Sequence, residues 1–140
     1  MKSWVSAIEG IEKIPEKVVR GTVIGMFTRI VKRSPVDTGR FRGNWQITVN
    51  APSRTQKNTV DNSGPAQATP SSNPAGSVTA VEGAFYVSKQ EFPQFGYYIT
   101  NNLPYAERLE YGWSGQAPSG MIRLSLAEFE QVLREEVAKQ

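Results

Sequence analysis

The side chains in this sequence that could carry chemistry are few, and most are aspartate, glutamate or arginine. Asp37-Thr38-Gly39 is the tripeptide in which aspartic proteases of the retroviral type hold their catalytic carboxylate. In those enzymes two such aspartates sit side by side and share one proton, because adjacent like charges cannot both ionise. The tripeptide should follow an apolar strand, whereas Ser34-Pro35 and a basic stretch precede it here, and Arg40 and Arg42 would keep Asp37 ionised. A turn-capping aspartate is the stronger reading. Glu107 and Glu110 stand three apart, but paired carboxylates do acid–base work only where burial splits their pKa values, and Arg108 lies between them. Ser114 and Ser119 have no base at a recognisable spacing. The chain contains no cysteine and no histidine. Thiolate nucleophiles, disulfides, Cys/His zinc sites and histidine triads are therefore excluded. No catalytic residue, metal site or cofactor is expected.

Charge points to contacts rather than catalysis. Sixteen Lys and Arg stand against 13 Asp and Glu, a net charge of +3. Residues 32–57 carry Lys32, Arg33, Arg40, Arg42, Arg54 and Lys57 against only Asp37, whereas Glu128, Glu130, Glu135 and Glu136 crowd the C-terminal stretch. A basic excess suits a polyanion or an acidic partner, and equally a solvated edge. Arg40, Arg42, Asn44, Arg54 and Lys57 are the candidate partner contacts. Phe41 and Trp45 are read on the opposite face from Arg40, Arg42, Asn44 and Gln46, so no aromatics are interleaved there to stack on bases, and sequence-specific nucleic-acid binding is not expected.

These residues need elements to hold them. At 140 residues, with 39% hydrophobic and 21% charged residues, the chain has single-domain length and a globular composition. Lys2, Glu9, Glu12, Lys13 and Glu16 interrupt any secretory apolar core, and the longest apolar run falls far short of the roughly 20 residues of a membrane span. A soluble protein made in the cytoplasm, without membrane contact, is the expectation. Residues 1–33 read as helical: Trp4, Ile8 and Ile11, then Val19, Val23, Met26 or Phe27, and Ile30, recur at helical period. Pro15 divides them into two helices or one kinked helix, and Ser34-Pro35 ends the second. Asp37 and Gly39 form a turn. From Arg40 the period becomes two, with Phe41, Trp45, Ile47 and Val49 on one face, which predicts a strand over 40–49.

Residues 50–77 hold four of the nine prolines (Pro52, Pro65, Pro70 and Pro74) and one large aliphatic, Val60. Ordering them costs tens of kcal/mol, at about 1–2 kcal/mol per residue, so a mobile loop or fluctuating hairpin is expected in the monomer. Ordering by a neighbouring subunit and plain disorder both remain open. Residues 78–92 fit a helix through Val78, Val81, Phe85 and Ser88, and a strand through Phe85 and Val87; the helix is preferred. A strand over 95–101 follows, then a turn at Pro104 and a short helix from Tyr105 that Gly112 ends. A final helix over 120–138 places Ile122, Leu126, Phe129, Leu133 and Val137 on one stripe. The predicted fold class is α+β, one domain over residues 1–140: a small antiparallel sheet packed by a long N-terminal helix and a C-terminal helix, with a long central loop.

Two blocks, Ser34-Pro-Val-Asp-Thr-Gly-Arg-Phe-Arg-Gly-Asn-Trp45 and the stretch from Tyr98 to Met121 (YITNNLPYAERLEYGWSGQAPSGM), cover about a quarter of the chain. They resemble the neck family of tailed bacteriophages, the minor tail or head–tail connection proteins. The resemblance implies a non-enzymatic virion protein, made in the host cytoplasm. It would form a cyclic homo-oligomer (a hexamer or dodecamer) between the head-closure protein and the tail terminator or tail tube. Double-stranded DNA would pass through that ring without being read. In this setting Phe41 and Trp45 are core anchors, Asp37 and Gly39 set the turn, and Pro104, Tyr105 and Gly112 bound the short helix. Arg40 and Arg42 are the first candidates for partner or channel contact. A tail terminator or stopper of the same shape, or a non-specific nucleic-acid-binding accessory protein, are the alternatives. An opposite charge bias between 32–57 and the C-terminal glutamates would serve a heterologous ring contact.

Overall fold

The computed structural model describes residues 14–140; the helical reading of Trp4, Ile8 and Ile11 lies outside them. The elements are α1 (Glu16–Arg33), α2 (Arg40–Gly43), β1 (Trp45–Val49), α3 (Val78–Lys89), β2 (Tyr97–Asn101), α4 (Ala106–Glu110), α5 (Ile122–Ala127) and α6 (Phe129–Ala138). The fold class is α+β. Helix α1 begins after Pro15 with Glu16 in its first turn and ends with Lys32 and Arg33, charges that complement the helix dipole at both ends. β1 and β2 pair antiparallel, with Trp45 opposite Asn101 and Ile47 opposite Ile99. Helix α3 lies close on α1 and the sheet because Gly83 has no side chain: a Cβ there would stand 2.4 Å from the Phe27 ring. Phe27, Ile30, Val31, Phe41, Trp45, Ile47, Val87, Leu103 and Met121 form the core.

Three expectations change. The predicted strand starts only at Trp45, because Gly39 takes φ +84° and the chain then makes one helical turn, with Gly43 N–H donating to the Gly39 carbonyl at 3.0 Å. A spacing of four between Phe41 and Trp45 satisfies both periods, which hid the turn. The C-terminal stretch is two helices broken at Glu128, and its inward face is Ser125, Val132 and Glu136. Leu126, Phe129 and Val137, predicted to face the core, are exposed. The preferred helix over 78–92 is present, but it buries Thr79, Ala80, Gly83 and Val87 and leaves Val78, Val81 and Phe85 outside.

Residues 50–77 form no helix or strand between Asn50 and Ser77, yet they run as a strap fixed to the body by polar anchors. Val60 is exposed and contributes little. Instead, Lys32 Nζ donates to the carbonyls of Asn73 and Ala75, Arg33 to that of Ala68, and Arg42 to that of Gly64. Arg29 Nε donates to Ser72 Oγ, and Gln67 N–H to the Lys32 carbonyl. Backbone groups that find partners in this way need no apolar burial to stay out of water.

Candidate functional site

The two sequence blocks, far apart along the chain, meet in one interlocked unit. Ser34 is its hinge-pin: its hydroxyl donates to the Ile30 carbonyl and accepts from Trp45 Nε1 at 2.7 Å, while its own carbonyl accepts from Arg42 Nη2 at 2.9 Å. Across to the second block, Val36 N–H donates to Gln116 Oε1 at 2.9 Å, and Gln116 Nε2 donates back to the Val36 carbonyl at 3.0 Å. Asn101 Nδ2 reaches the Phe41 carbonyl, and the Phe41 ring packs edge-on to Trp45 and against Tyr105. Between the blocks opens a cavity of about 420 Å³, floored by Phe41, Tyr105 and Leu109 and rimmed by Asp37, Thr38 and Trp113.

Trp113 stands at that rim 73% exposed, with the Arg108 guanidinium 4.9 Å from its ring centre. Tyr111 beside it is also exposed, with Arg123 over its ring. The loop that presents them is held from beneath by Glu110. This carboxylate accepts from the backbone N–H groups of Met121, Ile122 and Arg123 at 2.8–3.0 Å and from Arg123 Nε. Burial alone would raise its pKa, but those donors outweigh it and hold the carboxyl below the usual range. Glu110 is thus a buried cap on α5 and not the exposed partner of Glu107. Gly112 (φ +92°) and Gly120 (φ +87°) turn the chain at the two ends of the loop, and a Cβ on either would strike a backbone carbonyl.

The candidate contact residues divide. Arg42 is 2% exposed and Asn44 is fully buried, so neither is a partner or channel contact on this surface. Asn44 is a bracket: its Nδ2 donates to the Arg40 carbonyl and its Oδ1 accepts from Lys57 N–H. Burial lowers the pKa of Arg42, with Asp61 acting in the opposite sense. Arg40 and Arg54 are exposed, Arg40 donating to Gln56, and Lys57 faces Glu82 at 3.5 Å. Asp37 is exposed at the turn, Gly39 and Trp45 are buried, and Tyr105 precedes the first residue of α4 after Pro104.

Within the single chain one cation of the basic stretch, Arg33, already meets a C-terminal glutamate. Arg33 makes a two-pronged pair with Glu128 at 2.7 and 2.8 Å, and Arg29 reaches Glu128 at 2.9 Å and Glu135 at 3.4 Å. Hydrogen bonds from Arg33, then from Arg29, hold the Glu128 carboxyl below its ordinary pKa despite partial burial. Glu136 packs over Gly21 and pairs with Lys139.

Sequence reasoning missed Asp61, the most deeply buried carboxylate among the described residues, at 1% exposure. Its Oδ1 accepts from the Ser63 hydroxyl and N–H, and its Oδ2 from Ser77 Oγ at 2.6 Å and Thr79 N–H at 3.1 Å. Burial would raise its pKa, but the donors from Ser63, Ser77 and Thr79 bring it down to about 2. Asp61 therefore fastens the strap to the start of α3. Its signal in the sequence is the Ser77-x-Thr79 pair of a helix start, with no marker for which acid it would meet.

No group of acids able to hold a metal ion occurs among the described residues, and no described helix is long and apolar enough to cross a membrane. Comparison with family models, with curated proteins and with solved structures gives no match.

Proposed function

We propose that this chain is a non-enzymatic structural subunit of a tailed-bacteriophage virion. In this reading copies of it form a cyclic ring in the neck, hexameric or dodecameric. The ring joins the head-closure protein of the DNA-filled head to the tail terminator or tail tube. DNA passes through it without sequence-specific contact. The observation that carries the reading is the Val36–Gln116 clasp: the two blocks that resemble neck proteins close on each other. Trp113, Tyr111, Phe85 and Phe95 are each more than 60% exposed on the single chain, and large exposed aromatics mark surfaces that partners cover. A nucleic-acid-binding role is less well supported, since Arg29, Lys32, Arg33 and Arg42 are all engaged within the subunit.

The test is a phage deleted for this gene. Filled heads without tails, lying beside finished tails, are expected, and infectious wild-type particles would end the proposal. Stopper loss would instead leave heads that leak DNA, and terminator loss would leave tails of uncontrolled length. Trp113→Ser is expected to keep the monomer's melting temperature within about 2 °C, as surface substitutions do, while abolishing ring formation in mass measurements.

A further inference from the structure

The two outer edges of the β1–β2 sheet differ. Asn50 N–H donates to the Gly96 carbonyl at 2.8 Å, and the register runs on through Thr48 opposite Tyr98 and Gln46 opposite Thr100. Hydrogen-bonded pairs alternate along an antiparallel ladder, so these are the pairs through which β2 bonds to β1. The N–H and C=O groups of Tyr97, Ile99 and Asn101 point the other way, and no strand pairs with them among the described residues. Free edges are ordinarily blunted by lysine, proline, a bulge or a covering element. β1 has such cover, since Lys57 and Glu82, paired at 3.5 Å, line one cavity with Gln46, Ile47 and Thr48. Residues 97–101, Tyr-Tyr-Ile-Thr-Asn, carry neither lysine nor proline, and no charged residue occurs between Glu91 and Glu107. Beside this edge lies an apolar hollow of about 320 Å³, lined by Tyr97 and Ile99 together with Met26, Leu126 and Phe129.

We propose that the free edge of β2 pairs with β2 of a second copy, antiparallel about a two-fold axis at Ile99. The ladder sets the register: Ile99 faces its own copy, and Tyr97 faces Asn101 in both directions. Each of these pairs exchanges two hydrogen bonds, using the backbone groups that β1 leaves free. The occupant is a second copy because the edge is its own complement. Aromatic and β-branched residues meet about one centre, which favours cross-strand pairing. With no charge over residues 92–106, no like charges are brought together when the strand meets itself. Side chains of facing residues share one face of a sheet, so the second Ile99 enters the hollow beside the first. The dimer then holds four continuous strands, whereas two alone fall short of a sheet that stands independently. This contact is isologous, unlike the heterologous contacts that close a ring, and the inference is independent of the virion reading.

Amide hydrogen exchange of the wild-type chain tests it. The N–H groups of Tyr98 and Thr100, directed at β1, should be protected at every protein concentration and serve as the internal reference. Those of Tyr97, Ile99 and Asn101 should exchange at least about tenfold more slowly at about 500 μM protein than at about 1 μM, because only the dimer covers them. Protection that does not change with concentration would place another part of the same chain on the edge. Absence of protection at both concentrations would leave the edge bare. Either result overturns the proposal. The register is read separately. The chain lacks cysteine, so Ile99→Cys carries one thiol. Facing residues of a hydrogen-bonded pair lie about 5.5 Å apart at Cα, inside the range a disulfide spans. Under mild oxidation Ile99→Cys should become a covalent dimer at least about tenfold faster than Gln131→Cys on the exposed face of α6. Equal rates would overturn the two-fold pairing.

Discussion

Replacing Asp61 by asparagine keeps the side chain's shape and removes the charge that holds the strap to α3. The carboxylate accepts four hydrogen bonds in a site 1% exposed. An amide presents one acceptor oxygen, so Thr79 N–H or the Ser63 pair must lose its partner. The folded carboxyl titrates at about 2 against an ordinary 3.8. At about 1.36 kcal/mol per pH unit, that difference is worth about 2.4 kcal/mol near neutrality. Because the folded pKa is the lower one, this stability is complete above pH 4 and is lost as pH falls through the folded value. About half of it is left at pH 3. Urea unfolding of wild type and Asp61→Asn at pH 7 should therefore differ by about 2–3 kcal/mol, or roughly 8–10 °C in melting temperature. The gap should narrow to about 1.3 kcal/mol at pH 3. Hydrogen exchange at Thr79 N–H should accelerate with it. Equal stability at pH 7, or a gap that stays constant down to pH 3, would refute the assignment of Asp61 as the ionised anchor.

Two further substitutions probe the strap and the buried ion pairs. Gly43→Ala would place a Cβ 2.0 Å from the Thr59 carbonyl oxygen; it should cost roughly 1–3 kcal/mol by overpacking, read as a lower urea midpoint at unchanged slope. Glu128→Lys sets a third cation beside Arg29 and Arg33, whose side chains are about 5% exposed. A loss of at least about 3–5 kcal/mol is expected, so circular dichroism should find most of the protein unfolded by 37 °C, whereas Glu130→Lys on the exposed face should be near neutral.

The sequence disclosed its element ends more readily than its faces. Pro15, Ser34-Pro35 and Gly112 act through backbone sterics that no tertiary contact overrides, and the ends of α1 and the close of α4 fall where those residues put them. Faces depend on neighbours. Ser125 and Glu136 turn inward because Arg33 donates to Ser125 Oγ and because Gly21 leaves room for the Glu136 side chain. A count of apolar residues sends Leu126 and Phe129 inward instead. The strap was illegible for a related reason. Its carbonyls are held by Lys32, Arg33 and Arg42, and nothing in the composition of an acceptor segment of Ser, Asn, Pro and Ala announces donors that lie elsewhere in the chain. The same pairing withdrew Arg42 from the candidate contacts and left Arg40 and Arg54 outside.

Each fastening of the strap joins residues distant in the sequence: Arg29 to Ser72, Arg33 to Ala68, Asp61 to Thr79. The first two tie the strap to α1 and the third ties it to α3, and each closes a loop whose entropy local contacts do not return. The strap is therefore expected to settle late as the newly made chain matures, and to lift early when denaturant or acid is applied.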